Sequence, residues 1–354
     1  MHNILHKFFL VFAFVLLSSW QTSAQIGGYG TYKFLGYSNS ARIAGLGGNF
    51  LAINDNDITL TQANPSLITP AMSNNLALSY VNNPGGINYG YVMYSYTFNK
   101  VGSFVGSLQF MNYGNFTGAD PSGNLTGDFS ASEYALNVGW GRQLSPLFSI
   151  GANGKLIYSQ LESYRSFGIA VDVAGTYTSK DQSFTASLIG RNIGTQIVPY
   201  VAGNFQPLPF ELQIGLSQKL KHIPLRFSQL LTNLQRWDLT YLDASDPANT
   251  PDPITGEVKQ KTGIGKIADG IMRHIVIGAE LTIAKAFSIR IGYNYQRRQE
   301  LKLTSKAGLT GFSIGAGLRV KMFNISYTRA SYTAGLPRNY ITVVVNLQEF
   351  IKKQ

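Results

Sequence analysis

Beyond residue 75 the chain alternates apolar and polar positions almost without a break. Tyr134, Leu136, Val138 and Trp140 share one face of an extended segment, and Glu133, Ala135, Asn137 and Gly139 the other. Phe167, Ile169, Val171 and Val173 stand against Ser166, Gly168 and Asp172, and Phe287, Ile289, Ile291 and Tyr293 against Ser288, Arg290 and Asn294. The last run sets Ile341, Val343, Val345 and Leu347 against Thr342 and Asn346. Period-two alternation specifies strands with one apolar and one polar face. The runs predict about fourteen strands of ~10 residues, the length a tilted strand needs to cross a bilayer. They fall near residues 76–82, 88–98, 101–112, 130–143, 147–160, 165–178 and 183–194, then 209–219, 225–234, 274–284, 287–297, 310–320, 322–332 and 338–348. The ninth is ambiguous, because Phe227, Leu230, Leu231 and Leu234 also fit a helical stripe.

The connections alternate in length. Those near Asn99-Lys100, Leu144 to Pro146, Lys180-Asp181, Lys221 to Pro224, Ala284 to Ala286 and Lys321 are short. Between them fall 113–129, 195–208, 243–273 and 298–309, which are long. Short periplasmic turns and long extracellular loops are the habit of outer-membrane barrels. A soluble sandwich would leave a sheet face of Tyr, Phe and Ile in water, or bury the charges opposite it. A closed barrel instead pairs every backbone group inside lipid. The expected fold is therefore all-β: a transmembrane antiparallel β-barrel of about 14 strands, residues 76–354, in the cell outer membrane.

Composition sharpens this picture. Only 13% of the residues are charged, against about 25% in ordinary soluble domains. Cysteine is absent, which excludes a disulfide-stapled fold and a lipobox anchor. Residues 1–24 read as a cleaved secretory signal peptide: Lys7, an apolar run from Phe8 to Leu17, then Thr22-Ser23-Ala24 before the cleavage point. Residues 25–75 lack the alternation and carry small residues and short polar turns, as suits a hatch folded into a polar lumen; the alternative is an ordered periplasmic tail beneath the barrel. There Arg42, Asp55 and Asp57 are positioned to pair with inward Glu133, Lys155, Asp172, Glu211, Glu280, Arg290 and Arg319. Such a plug leaves no wide water channel, which disfavours a general porin.

Catalytic chemistry is nearly absent. His222 and His274 are the histidines left after signal removal; His222 falls in a predicted short turn and His274 at a strand start, so they are expected to lie far apart. No HExxH, Cys cluster or GxSxG motif occurs, so no catalytic residue, cofactor or metal site is expected. Gly263-Ile264-Gly265-Lys266 lacks the remaining signature of a phosphate loop, and Asp55-Asn56-Asp57 that of a calcium loop. The net charge of +11 collects partly in two long loops, as Lys259, Lys261, Lys266 and Arg273, then Arg297, Arg298, Lys302 and Lys306. These are candidate contacts with lipopolysaccharide or a protein partner. Nucleic acid is not an expected partner in this compartment.

Ser40-Ala41-Arg42, with Gly47-Gly48, Asp55 and Asn64-Pro65, resembles the N-terminal hatch region of FadL-like barrels. Taken with Gly27-Gly28-Tyr29-Gly30-Thr31-Tyr32-Lys33-Phe34-Leu35, it is similar to the PorQ family of the type IX protein secretion system. That resemblance implies a non-enzymatic component of the attachment complex, anchoring a PorZ-like surface protein beside PorV- and PorU-like components. The alternative is a FadL-like transporter of hydrophobic small molecules across the outer membrane, which requires an apolar pocket above the hatch and a kinked strand.

Overall fold

The structure, a computed structural model, describes residues 30–240 apart from 39 and 49, residues 263–301 apart from 285, and residues 308–351 apart from 334 and 335. The expected signal segment, Gly27 to Tyr29, Lys259, Lys261, Lys302 and Lys306 lie outside them. Fourteen strands form one closed barrel. They are β1 (Asn75–Asn82), β2 (Asn88–Phe98), β3 (Gly102–Ala119), β4 (Leu125–Gln143), β5 (Phe148–Leu161), β6 (Tyr164–Thr178) and β7 (Phe184–Val198). On the other side come β8 (Glu211–Lys219), β9 (Leu225–Leu231), β10 (Ile275–Ile283), β11 (Phe287–Asn294), β12 (Phe312–Val320), β13 (Phe323–Thr333) and β14 (Leu336–Asn346). Each pairs antiparallel with its sequence neighbours, and β1 closes on β14 with Asn75 opposite Asn346 and Leu78 opposite Val343.

The two faces of each strand have the polarity of a water-soluble domain turned inside out. On β4, Leu136 and Val138 are 49% and 53% exposed, while Glu133, Ala135 and Asn137 are buried. Tyr134, Leu156, Val173, Leu188, Ile291, Ile314 and Ile341 also face outward. Large apolar side chains on the outside and polar ones within fit a hydrocarbon solvent, where the closed ladder satisfies the backbone. No helix among the described residues is long and apolar enough to cross a membrane.

The short connections, with positive φ at Lys100, Gln182, Ala284 and Lys321, share one end with the start of β1 and the close of β14. That end is the periplasmic one by the usual rule of barrel construction. Three elements depart from the sequence expectation. The 113–129 segment is mostly hairpin, because β3 and β4 stay paired past a bulge at Asn112/Asn115. The ninth strand is a strand and not a helix, but stops at Leu231, with Asn233 at φ 54° turning the chain. β11 ends at Asn294, whose side chain accepts from the Arg297 amide and starts a helix where strand was expected. Two further helices matter below besides this one: α1 is Ala41–Gly45, α2 is Gly263–Arg273 and the Asn294-capped helix, Tyr295–Leu301, is α3.

Residues 30–74 run inside the barrel. Leu46, Phe50, Leu51, Ile53, Leu60 and Leu67 pack with Ala174, Ile189, Leu230 and Val276 of the wall. A second cluster near the opposite end joins Tyr32, Phe34 and Leu35 to Val81, Tyr89, Met111 and Tyr340. The hatch therefore has its own apolar core and spans the lumen along its length.

Candidate functional site

The hatch is held by helix ends first. Ser40 caps α1 by accepting from the Arg42 amide at 3.2 Å, and Ala41 and Gly45 bind hydroxyls of the wall. The Ala41 amide donates to Thr342 Oγ1 at 2.9 Å, Thr328 Oγ1 donates to the Ala41 carbonyl at 2.6 Å, and Ser313 Oγ to the Gly45 carbonyl at 3.2 Å. Gly47 follows at φ 100°, against the Tyr293 backbone amide, where a side chain would be strained and crowded. Gly48 lies against Val276. Asn64 accepts from the Ser66 amide at 3.0 Å and donates to the Leu51 carbonyl at 2.6 Å and Thr176 Oγ1 at 3.0 Å. Pro65 opens the turn after it, at a position where no amide hydrogen is missed.

That framework aims Arg42 at three carboxylates. Its Nη2 lies 2.5 Å from Asp55 Oδ2 and 2.7 Å from Glu280 Oε2, and its Nη1 lies 2.9 Å from Asp57 Oδ2. Arg42 Nε donates to Glu280 Oε1 at 3.0 Å, so the Nε–Nη2 edge of the guanidinium grips β10 while its Nη1–Nη2 edge holds Asp55 and Asp57. Arg290, directly across from Glu280 in the β10–β11 ladder, donates from Nε to Glu280 Oε1 at 2.7 Å. Arg226 of β9 adds a cation beside Asp55. Three guanidiniums thus face three carboxylates, joining α1, the Asp55–Asp57 turn and three wall strands. The sequence placed Arg42, Asp55, Asp57, Glu280 and Arg290 in this set but missed Arg226, which falls in the 225–234 run whose strand or helix character was ambiguous.

Of the other inward charges expected to pair with the hatch, none forms an ion pair with it among the described residues, although Arg191 Nη2 donates to the Leu35 carbonyl at 3.3 Å. Lys155 pairs with Asp172 at 2.8 Å across β5 and β6, and donates to Asn192 Oδ1 at 2.7 Å. Asn192 sits at φ 55° in a bulge of β7 and sends its amide to Asp172 Oδ1 at 2.8 Å. An Asn in mid-strand was the only sequence sign of this irregularity. Glu133 accepts from Tyr113 Oη at 2.6 Å. Glu211 starts β8 without an ion pair among those described, and Arg319 is exposed toward the periplasmic end.

The loop cations scatter. Lys266 is exposed on α2, whereas Arg273 is buried and paired with Asp269 at 3.0 Å. Arg298 donates to the Gly308 and Thr310 carbonyls, bracing the chain after α3. Arg297 lies 3.7 Å from the Tyr332 ring centre, and Arg338, which sequence reasoning passed over beside Pro337, lies 3.9 Å from the same ring. His274 sits between the carbonyls of Thr232 and Trp237, at 2.7 and 3.2 Å, a structural placement. Among the described residues no group of three His, Cys, Asp or Glu has metal-holding geometry.

Three cavities open below the hatch. The largest, 1310 Å³, is lined by Asn54, Asp55, Ser66, Thr69, Arg142 and Lys219. One of 540 Å³ reaches Arg42 and Glu280, and one of 310 Å³ reaches Asp57 and Lys321. All three touch Asp55, so the ion cluster forms the roof of a polar periplasmic vestibule.

This roof is acid-sensitive. Burial works against the Asp55 charge, but the Arg42 guanidinium beside it prevails and holds its carboxyl below the usual carboxylate range. A depressed folded value stabilises the docked hatch above the unfolded value of about 3.9, and the benefit is lost as pH falls through the folded value. Protease resistance of the hatch is expected to be level from neutral pH to about 5 and to fall below about 4. Asp55→Asn is expected to flatten that acid limb.

No protein-family model matches the chain, and no curated protein matches it. Solved barrels share its fold. The TodX monoaromatic hydrocarbon channel deltaS2 mutant is 13% identical with a TM-score of 0.52, over 89% of this chain and 98% of that one. The Pseudomonas putida toluene transporter TodX is 11% identical with a TM-score of 0.47, over 87% and 96%. A Pseudomonas aeruginosa FadL homologue is 10% identical with a TM-score of 0.46, over 87% and 98%. At such identities the likeness is one of fold, a closed barrel of outer-membrane type.

Proposed function

We propose that this chain is a sealed outer-membrane barrel that anchors a surface partner, as in the attachment complex of the type IX secretion system. The observation that carries this reading is the closure of the lumen. Arg42 ties the hatch to the wall through a buried ion cluster, and the two larger cavities lie on the periplasmic side with Asp55, Lys219 and Arg226 in their linings. Passage of an apolar solute would require a greasy chamber above the hatch. That region holds instead Tyr32, Tyr89, Tyr113, Glu133 and Tyr340 in hydrogen-bonded contact. The hatch residues that resemble PorQ-like proteins support the same reading. Its partners would be a PorZ-like surface protein, PorV- and PorU-like components, and lipopolysaccharide at the rim.

A second reading, a channel for small hydrophobic molecules, has a specific observation in its favour. The β7–β8 ladder stops at Arg191 opposite Glu211, leaving residues 192–198 of β7 without strand partners on that side. Pro207 and Pro209 in the neighbouring segment cannot donate amides there. A gap in the ladder is where a lateral opening would form, and the likeness to a monoaromatic hydrocarbon channel favours this reading over the anchor.

One purification separates the two. A tagged chain is recovered from detergent-solubilised outer membrane, and proteins and lipids are identified by mass spectrometry. The anchor reading expects stoichiometric surface proteins and no enriched apolar small molecule. Recovery of the barrel alone with such a molecule bound would replace it by the channel.

A further inference from the structure

From the polarity and depth of α2 we infer that this helix is part of the barrel's lipid-facing wall, lying in the outer leaflet with Ile264, Ile267 and Ile271 among acyl chains. The helix is amphipathic in the reverse sense for a water-covered loop. Asp269 and Arg273, each buried, form their 3.0 Å pair on the protein side. There Tyr295 Oη donates to Asp269 Oδ1 at 2.7 Å, and Arg273 Nη1 donates to the Leu239 carbonyl at 3.4 Å. Ile264, Ile267 and Ile271, spaced to share one face, are 85%, 59% and 43% exposed. In water this helix would bury its Asp269–Arg273 pair and display its isoleucines.

Depth explains the reversal. β9, β10 and β11 have 7, 9 and 8 residues, whereas β4 has 19. At ~3.3 Å per residue and ~40° tilt the short strands rise only about 18 to 23 Å, less than the ~25 Å apolar band of an outer-membrane barrel. The wall is therefore notched beside these strands, and α2, which leads directly into β10, sits above the notch. The chain passes from this face straight into the barrel's own belt: Ile271 precedes outward Ile277 on β10 by six residues. Exposed Trp237, whose carbonyl faces His274 at 3.2 Å, adds the kind of side chain that marks a membrane interface. Lys266 is exposed on α2, about 100° or more round the helix from the isoleucines, where a cation can stay in water or meet headgroup phosphates. Bilayer is thus the occupant that continuity and wall height select, over a protein seated on the same face.

The chain has no cysteine, so single labels report cleanly. Ile267→Cys and, separately, Ile271→Cys are labelled with an environment-sensitive fluorophore and reconstituted in vesicles containing lipopolysaccharide and brominated phospholipid. Ile277→Cys is the lipid-facing reference, and Ser122→Cys in the exposed β3–β4 tip is the aqueous one. Folding of each variant is verified by heat-modifiable gel mobility. Quenching at both helix sites is expected within about twofold of the Ile277 reference and several-fold above the Ser122 reference. Quenching no greater than at Ser122 in the folded variants would overturn the assignment, and so would an apolar environment that arises only when membrane-extracted proteins are added. Neither readout depends on whether the barrel is an anchor or a channel.

Discussion

Arg42→Ala is expected to undock the hatch while leaving the barrel closed. Removing one partner of a buried ion pair typically costs about 3–5 kcal/mol, because the surviving charge stays buried without compensation. Here three carboxylates survive. Glu280 keeps Arg290 at 2.7 Å, but Asp55 and Asp57 lose the guanidinium that bonds both. The barrel strands close on one another through their own ladders, β1 to β14 included, so the loss falls on the hatch. Arg42→Lys is expected to recover only part of it, since an ammonium cannot present two bidentate edges to separate carboxylates. The measurements are the rate of proteolysis within residues 30–74 and single-channel conductance in planar bilayers. Rapid cleavage and new conductance are expected, with unchanged heat-modifiable mobility of the barrel. A hatch in Arg42→Ala as resistant as in the native chain would remove the latch from the account.

Much of this architecture was legible because lipid imposes a strict rule on sequence. One face of each strand must be apolar and the next residue must not be, so runs such as Tyr134-Ala135-Leu136-Asn137-Val138 announce both strand and orientation. The signal weakens where that rule lapses. Above the bilayer β3 and β4 continue through Gly114, Asn115, Thr117 and Gly118, which carry no alternation, and the hairpin read as loop. At Asn294 a capping side chain outweighs the pattern that would have carried β11 to residue 297. The latch was half-legible for a similar reason. Periodicity tells which residues face the lumen, and so Glu280 and Arg290 were placed correctly, but it does not tell which charges meet across it. Lys155 and Asp172 compensate each other diagonally on adjacent strands, helped by a β7 bulge that no spacing announces. Arg226 and Arg338 sit beside prolines, where alternation is interrupted and facing is undetermined from sequence. Partner identity lies further out of reach, because one barrel fold serves several functions.

Gly292→Ala and Gly151→Ala are expected to act on the same docking from the wall side. The hatch approaches the barrel at two patches where the wall has no side chain. A Cβ on Gly292 would collide with the Leu46 carbonyl and the Gly47 amide, and one on neighbouring Gly278 would stand 2.8 Å from the Leu46 carbonyl oxygen. On the far wall a Cβ on Gly151 would strike the Pro65 carbonyl and lie 2.5 Å from the Ser66 amide, while Gly141 faces Ile68 at 2.6 Å. The obstructing atoms are backbone, which cannot swing aside as a long side chain would. Overpacking of this kind costs typically about 1–3 kcal/mol per site. The two patches lie on opposite walls and share no partner, so the double variant is expected to lose close to the sum. Gly154→Ala supplies the control, since its Cβ meets nothing within 4 Å and points away from the lumen. Accelerated hatch proteolysis in Gly292→Ala and Gly151→Ala, with Gly154→Ala unchanged, is the expected result. If Gly154→Ala were equally labile, the effect would belong to strand propensity, and these glycines would not be the seats of the hatch. Arg42 sits one turn before Leu46 on the segment that Gly278 and Gly292 receive, so latch and seat constrain the same piece of chain. Charge fixes which side of the barrel α1 faces, and the missing side chains fix how close it comes.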